Sequence, residues 1–402
     1  MQQNWKKDIV LFLTSQTVSL FGSSLVQYAI MWYITLETQS GVMMTIFIIC
    51  GFVPTFFLAP FAGVWADRYN RKVIIILSDT IIASVTLIMA IVFIMGYKEF
   101  WLLFTISAIR GLGSAVQMPT VSAFIPQIVP EDKLMKVNGT NSSIQSLIMV
   151  ISPIASGALL SMSSIELIFF IDVATAGIAV LTLLLFLRVP PHAKALVKQK
   201  VSYYTDLREG FHYIRNHVYV RKFFIFCSMF FILVSPVAFL TPLQVARSFG
   251  NDVWRLTMIE ITFSAGMIIG GIIMASWGGF RNKIYTMVLA CLIMGAGTVA
   301  LGFIPIFWLY NVVMAVVGLA MPMMNTPSTV LLQQKVEEEF LGRVFGVLSM
   351  ISSSMMPLGM LVFGPLSDYF KIEWMLIGTG ILMIVETIIL LGNKVFIEIG
   401  RN

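Results

Sequence analysis

The chain has 402 residues, of which 58% are hydrophobic and only 11% are charged, and its formal net charge is +6. Soluble globular domains carry about 25% charged residues, so this composition excludes a soluble globular protein and indicates one that is solvated by lipid. The mean hydropathy of +0.90 agrees with that interpretation.

Apolar runs recur along nearly the whole chain, and each is long enough to cross a hydrocarbon core of about 30 Å as a helix. Pro119, Pro126, Pro322 and Pro327 fall in the fourth and tenth runs and are expected to kink or end those helices. The pattern predicts an all-α polytopic membrane protein with twelve transmembrane helices. The runs lie near residues 9–36, 42–65, 73–95, 100–126, 138–160, 165–187, 220–246, 254–280, 284–304, 306–332, 343–366 and 373–396.

The longest polar stretch divides these spans into six and six. We therefore predict an N-terminal six-helix bundle over residues 1–188, a cytosolic linker over residues 189–219 and a C-terminal six-helix bundle over residues 220–402. Within the linker, residues 204–211 form a helix-compatible amphipathic segment that is expected to lie along the membrane surface.

The basic residues predict the orientation of the chain in the membrane. If both termini lie in the cytosol, only Lys98, Arg247, Arg255 and Lys371 face outside, Arg110 lies within a span, and every other lysine and arginine is on the cytosolic side. This asymmetry follows the positive-inside rule. It also accounts for the positive net charge without a nucleic-acid partner.

The residues that support most enzyme chemistry are scarce or isolated. Each of the three cysteines stands alone in an apolar run, and the three histidines all fall in the predicted linker. The sequence has no His-rich metal cluster, nucleophile motif or phosphate-binding loop, so we expect no metal, no cofactor, no enzymatic activity and no ATP hydrolysis by this chain.

The two halves of the chain repeat each other. Shifted back by 207 residues, residues 336–346 resemble residues 129–139 at seven of eleven positions. Near the same offset, residues 276–283 occupy the place of the charged turn at residues 63–72 but lack its acidic residue. Such a parallel repeat is typical of transporters that consist of two six-helix bundles, and it predicts alternating access by rocking of the two halves.

Two motifs carry a family resemblance. The turn Gly63-Val64-Trp65-Ala66-Asp67-Arg68-Tyr69-Asn70-Arg71-Lys72 resembles the signature between the second and third helices of the major facilitator superfamily. The family usually has glycine at the position of Asn70; since asparagine tolerates a left-handed backbone, we expect the turn to be kept. Arg110-Gly111-Leu112-Gly113-Ser114-Ala115 resembles the arginine motif of the fourth helix, and Ser152-Pro153 with Gly157 is a reduced form of the motif of the fifth.

The whole chain also resembles bacterial macrolide efflux proteins, through four segments in both halves. These are Gln16-Thr17-Val18-Ser19-Leu20, Ile171-Asp172-Val173, Ile259-Glu260-Ile261 and Leu341-Gly342-Arg343-Val344-Phe345. The resemblance implies a drug exporter of the bacterial plasma membrane that takes an amphiphilic small molecule, uses the proton gradient rather than a cofactor, contacts the lipid bilayer and works as a monomer.

Ionisable residues inside spans are functional candidates, because each costs several kcal/mol unless it is paired or hydrated. Glu260 is the preferred proton carrier, followed by Asp172, since both lie deep in their spans and removal from water favours the neutral form of a carboxyl. The family resemblance implies that Arg110 tunes a proton-binding acid or steadies the central cavity, and the alternative is a purely structural ion pair. Asp79 could equally serve as a partner for Arg110. Glu386 ranks low, because the fold implied by the resemblance places its helix at the periphery.

The charged turn suggests a cytosolic gate. In this hypothesis Asp67 caps a neighbouring helix and pairs with a base of the other bundle, and the bases Arg68, Arg71 and Lys72 bridge to acids or lipid phosphates. Gly63 and Arg343 are counted with the same gate. The alternative is a merely solvated basic loop.

Polar side chains on the apolar spans suggest a substrate cavity. The candidates recur at helical spacing on the first span and once each on the fifth and tenth, although such side chains also bond helices to one another. They are Gln16, Ser19, Ser23, Gln27, Gln145 and Asn325.

These observations favour a drug:proton antiporter that works by alternating access. The alternatives are an exporter of another solute, such as a siderophore or a metabolite, with the same fold, or a channel or scaffold protein of the membrane.

Overall fold

A computed structural model of the chain describes residues 5–187, 189, 212–392 and 394–399. The main α-helices of this part, in chain order, are α1 (Trp5–Thr38), α2 (Gly41–Arg68), α3 (Arg71–Ile94), α4 (Phe100–Ile128), α5 (Leu134–Met162), α6 (Ile165–Phe186), α7 (Val218–Phe239), α8 (Thr241–Ser248), α9 (Val253–Trp277), α10 (Lys283–Leu301), α11 (Phe307–Lys335), α12 (Glu338–Tyr369), α13 (Ile372–Gly392) and α14 (Lys394–Ile399).

Twelve segments of the described part are long and apolar enough to cross a membrane. The short helix α8 continues α7 as one of them, Val218–Ser248, after a break at Leu240. No strand occurs among the described residues. Helices satisfy their own backbone hydrogen bonds, which is what a lipid solvent demands. The predicted all-α fold with twelve spans is confirmed.

The prolines of the fourth and tenth spans do not end their helices. Pro119 and Pro126 lie inside α4, and Pro322 and Pro327 lie inside α11. In a spanning helix the backbone groups that proline leaves unpaired can be satisfied by side chains and neighbouring helices. Of the two predicted effects, a kink or an end of the helix, the second is wrong.

The chain divides into two compact units. The first comprises Met1–Ile34 and Ile46–Val201, and the second comprises Thr35–Thr45 and Ser202–Asn402. This grouping differs from the predicted limits at residues 35–45, which contact helices of the second unit through hydrogen bonds described below. Most of the predicted linker, including its amphipathic segment at residues 204–211, lies outside the described residues.

An apolar cluster closes one end of the first unit. It joins α1, α3, α4 and α6, and the rings of Phe12 and Phe124 have centroids 4.8 Å apart. Ile75 and Leu183, with exposed fractions of 0% and 1%, lie in the same cluster. The four helices that carry the polar residues of this unit are therefore held at fixed rotations about their axes.

Glycines bring α9 and α11 into close contact in the second unit. A Cβ atom on Gly266 would lie 2.0 Å from the carbonyl oxygen of Ala315, and one on Gly318 would lie 2.1 Å from that of Phe263. Gly270 has the same relation to Leu319 at 2.2 Å. Each helix thus lets the backbone of the other approach, as small residues commonly do between spanning helices.

The turns after α2 and α9 are equivalent places in the two units, and both end in an asparagine cap. The side chain of Asn70 accepts a hydrogen bond from Lys72 N at 3.0 Å, and that of Asn282 accepts one from Ile284 N at 3.0 Å. Asn70 has φ −64° and ψ 111°, so its backbone is extended. The left-handed conformation expected from the family pattern is wrong, because asparagine here caps the next helix instead.

Candidate functional site

Four helices of the first unit direct polar side chains towards one another. On α3 Asp79 and Thr86 are seven residues apart, and on α4 Arg110 and Gln117 have the same spacing. Seven residues are close to two helical turns, so each pair lies on one face with a separation of about 10 Å. The residues therefore form two layers, one around Arg110 and Thr86 and one around Asp79 and Gln117. Side chains of α1 join both layers, and Asp172 of α6 joins the first.

The first layer is a paired charge. Arg110, 7% exposed, donates through Nη1 to Oδ2 of Asp172 at 2.5 Å, and Asp172 is 0% exposed. The same Nη1 lies 2.5 Å from Oγ1 of Thr86, and Nη2 donates to the backbone oxygen of Ser23 at 3.1 Å. Thr86 and Ser23 also donate to Asp172, at 3.1 Å and 3.2 Å. Both charges are thus compensated where water is excluded.

The second layer contains a carboxyl with neutral partners. Oδ1 of Asp79, a residue 2% exposed, accepts hydrogen bonds from Ser19 Oγ at 2.7 Å and Gln117 Nε2 at 2.6 Å. Gln117 Nε2 also lies 3.5 Å from Oε1 of Gln16. Oδ2 of Asp79 and Nε2 of Gln16 are buried and find no hydrogen-bond partner among the described residues.

The two carboxyls are therefore in different electrostatic positions. Arg110 pairs with Asp172, so the alternative in which Asp79 is its partner is wrong. No lysine, arginine or histidine of the described part forms an ion pair with Asp79. A buried carboxyl without a cation is stable only if a proton neutralises it or a cation approaches. Such a group can bind and release a proton as its surroundings change.

Several predicted residues lie apart from this network. Glu260 is partly buried on α9, in the second unit. Gln27, Gln145 and Asn325 are exposed, whereas Gln16, Ser19 and Ser23 belong to the two layers. The side chains of Asp67 and Arg343 fall outside the described part of the chain, as does the burial of Gly63.

Two bases of the charged turn bind backbone oxygens at helix ends. Arg71 donates through Nε to the backbone oxygen of Ala66 and through Nη1 to that of Ala123, both at 2.9 Å. Lys72 Nζ donates to the backbone oxygen of Leu187 at 2.7 Å. These carbonyl oxygens lie at or near the ends of α2, α4 and α6, where cations are favoured. Arg68 is exposed.

A second polar cluster, in the second unit, was not predicted from the sequence. Oδ1 of Asp368 accepts from Gly41 N at 2.7 Å and Arg247 Nη2 at 2.9 Å. Oδ2 accepts from Ser40 Oγ at 2.7 Å and Val42 N at 3.0 Å. The carboxylate therefore satisfies two backbone donors at the start of α2, where a negative charge is stabilised.

Arg247 extends this cluster along the chain. Its Nη1 donates to the backbone oxygen of Ser367 at 2.6 Å, and its Nε donates to that of Gln39 at 3.1 Å. Gly41 allows the start of α2 to lie close to the backbone of α12, because a Cβ on Gly41 would lie 2.3 Å from the backbone oxygen of Gly364. These contacts lie within the second unit, which includes residues 35–45.

Gln117 and Thr86 were also missed as members of the first-unit network. Their signal in the sequence is the spacing of seven residues from Arg110 and Asp79, which places each on the face of a residue that was already a candidate. Neither residue is ionisable, so a search restricted to charges inside spans overlooks both.

Comparison with known proteins gives the family. The sequence model of the Major Facilitator Superfamily matches residues 12–360. The chain belongs to this superfamily. Macrolide efflux protein A of Streptococcus pyogenes is 29% identical over 388 residues, which are 96% of this chain and 96% of that protein.

Two further transporters are similar to the chain. The staphyloferrin A transporter of Staphylococcus aureus is 24% identical over 377 residues, covering 90% of each chain. The crystal structure of the nucleoside transporter NupG matches with a TM-score of 0.71 at 16% identity, over 97% of this chain and 99% of that one. The chain is thus a multi-pass membrane protein with the family and fold of major facilitator transporters, and its macrolide efflux relatives agree with the resemblance stated from its motifs.

Proposed function

We propose that this major facilitator transporter exports amphiphilic drugs of the macrolide type in exchange for protons, by alternating access of its two units. The relative from Streptococcus pyogenes supports the substrate class, because it aligns over 96% of both chains. The single observation that carries the coupling is the buried carboxyl of Asp79, whose partners Ser19 and Gln117 are neutral.

Asp79 lies about two helical turns from the ion pair of Arg110 with Asp172, so a proton bound at Asp79 alters the charge near that pair. With Asp172 held by Arg110, protonation of Asp79 changes the net charge of the first unit by one without breaking an ion pair. Because low local dielectric strengthens charge interactions, this change biases the unit between conformations that differ in hydration. We therefore place Asp79 ahead of Glu260 as the proton carrier in this proposal.

The test is transport into everted membrane vesicles with a labelled macrolide. Asp79→Asn should reduce uptake driven by a proton gradient by about tenfold or more, while exchange between equal drug concentrations without a gradient stays within about twofold of the wild type. Asp132→Asn is the matched control, because Asp132 is an exposed carboxyl paired with Lys133 and should not alter either rate.

The same assay distinguishes Asp79 from Glu260 as the proton carrier, and drug export from the alternative functions. Undiminished gradient-driven uptake by Asp79→Asn, together with its loss in Glu260→Gln, would return the role to Glu260. If the wild type moved no macrolide under any gradient, drug export would be rejected. The staphyloferrin A transporter favours a second candidate, export of a siderophore, which competition by a carboxylate siderophore would reveal. Rapid downhill flux that ignores the proton gradient would favour a channel.

A further inference from the structure

A groove in the second unit runs between α7 and α13 and has a volume of about 280 Å³. Its walls are apolar side chains that remain 44–66% exposed. Exposed apolar residues on spanning helices face the acyl chains of the bilayer. The groove therefore opens to lipid. The wall residues are Ile225, Met229, Leu382, Val385 and Ile389.

A single carboxyl lines the inner side of this groove. Glu386 is 9% exposed, and its Oε1 is buried without a hydrogen-bond partner among the described residues. The titratable groups that face it from the neighbouring helices are the thiols of Cys227 on α7 and Cys291 on α10, both buried. Thiols are weak hydrogen-bonding groups, so they leave the carboxyl poorly solvated.

Lys222 also lines the groove, near the start of α7. It has interactions of its own, and no ion pair between Lys222 and Glu386 occurs in the described part of the structure. The aliphatic stem of a lysine can cover apolar wall while its ammonium group reaches the membrane surface. Glu386 itself forms no ion pair in the described part of the chain.

We propose that this groove binds a membrane-soluble tertiary amine, with the apolar body of the amine against α7 and α13 and its nitrogen beside Glu386. The neutral amine arrives through the lipid, and the carboxylic acid of Glu386 transfers its proton to the nitrogen lone pair. The O–H bond breaks, an N–H bond forms, and a carboxylate–ammonium pair results without any other reactant. In a site from which water is excluded, such a pair is held far more strongly than in water.

The depth of Glu386 distinguishes this occupant from a phospholipid. Glu386 lies six residues before Gly392, the last residue of α13, which places it about 9 Å inside the end of the helix. A phosphate headgroup would have to descend to that depth and would meet a carboxyl of like charge. As a loading site for exported drugs, the groove rests on the proposed function; amine binding itself does not.

The test uses the purified full-length protein in lipid nanodiscs and an aliphatic tertiary amine that carries a photoreactive diazirine. Illumination should attach this probe to peptides that contain Ile225 to Met229 or Leu382 to Ile389. Glu386→Gln should reduce the labelling by about fivefold or more. Glu398→Gln removes an exposed carboxyl of α14 and is the matched control, with labelling unchanged.

A second variant keeps the test independent of the stability of Glu386→Gln. Met229→Trp narrows the groove, leaves the carboxyl in place and should reduce labelling to a similar extent. Equal labelling of the wild type and Glu386→Gln, or equal labelling by a probe with a neutral amide in place of the amine, would overturn the proposal. Stronger labelling by a phosphate-bearing probe would assign the groove to lipid and overturn it as well. Glu386-dependent labelling without any macrolide transport would reject drug export alone.

Discussion

Arg110 carries a permanent charge in the interior of a unit that is solvated by lipid, and the residues around it are arranged for that charge. One guanidinium contacts a carboxylate, a hydroxyl and a backbone carbonyl on three other helices. Lysine has a single nitrogen and cannot make these contacts in the same directions. The pair with Asp172 therefore fixes the relative rotation of the helices as well as balancing charge.

Removal of one member of this pair should destabilise the first unit strongly. Arg110→Met leaves Asp172 buried without its cation, and breaking a buried pair in this way typically costs about 3–5 kcal/mol. We expect a large drop in the melting temperature of the purified protein in detergent. Arg255→Met is the control, because its partner Asp252 is on the surface, and exposed pairs contribute about 1 kcal/mol or less.

The double variant separates charge balance from transport. Arg110→Met combined with Asp172→Leu removes both charges, so much of the melting temperature should return while drug efflux does not. If the double variant melted as low as Arg110→Met alone, the loss would come from packing and the assigned role of the pair would be wrong.

The ionisable residues of this network could be predicted from the sequence, but the ion pairs between them could not. Arg110, Asp79 and Asp172 were apparent because charges are rare in the spans. Their pairing depends on how far each helix is rotated about its axis, and that rotation is set by packing such as the contact of Phe12 with Phe124. Polar periodicity alone gives the face of one helix, not the face of its neighbour.

At the scale of whole elements, the start of α2 is held by a carboxylate from another helix. Residues Ser40, Gly41 and Val42 direct three donors at Asp368, at the end of α12. The first backbone N–H groups of a helix have no partner within it, and a negative charge there also interacts favourably with the helix dipole. One residue thus satisfies the N-terminus of a helix distant in sequence.

Asp368→Asn should weaken this contact. The amide offers one acceptor oxygen and turns an NH2 group towards donors, so we expect a loss of about 1 kcal/mol in the stability of the second unit. The measurement is the melting temperature of the purified protein. Asp252→Asn, which alters an exposed carboxyl paired within its own helix start, should leave the temperature nearly unchanged. Equal changes in melting temperature for the two substitutions would show that the hydrogen bonds around Asp368 add no more stability than an exposed ion pair.

The turn between α2 and α3 shows how a family pattern can mislead at the level of one element. Knowledge of the usual glycine suggested a left-handed residue at position 70, but Asn70 accepts a bond from Lys72 N instead. Asparagine directly before a helix is a strong N-cap signal in its own right. The cap at Asn70, and not a left-handed residue, therefore begins α3.

For the molecule as a whole, the number of spans followed from composition and run length, because the lipid solvent leaves few alternatives to helices. The limits of the compact units did not follow. Residues 35–45 comprise the end of α1, a short connection and the start of α2. They group with the second unit, in which they bond to Arg247, Asp368 and the backbone oxygen of Met360. Contacts between positions more than 200 residues apart leave no local pattern.

The orientation of the chain remains a prediction with a direct test. In a variant whose three native cysteines are replaced, Lys371→Cys should react with a membrane-impermeant maleimide in intact cells, because the positive-inside rule places it outside. Lys136→Cys, on the opposite side and also exposed, should react only after the cells are permeabilised. The reverse result would invert the topology and move the charged turn out of the cytosol.

The close contact of α9 with α11 limits how the second unit can change shape. Gly266 and Gly270 receive carbonyl groups of α11, while Gly318 receives one of α9, so the two backbones interlock in both directions. A slide of one helix by a single residue, about 1.5 Å, would press these carbonyls against neighbouring side chains. We therefore expect α9 and α11 to move together as one rigid body. Movement within the second unit is therefore not expected to occur by shear between α9 and α11.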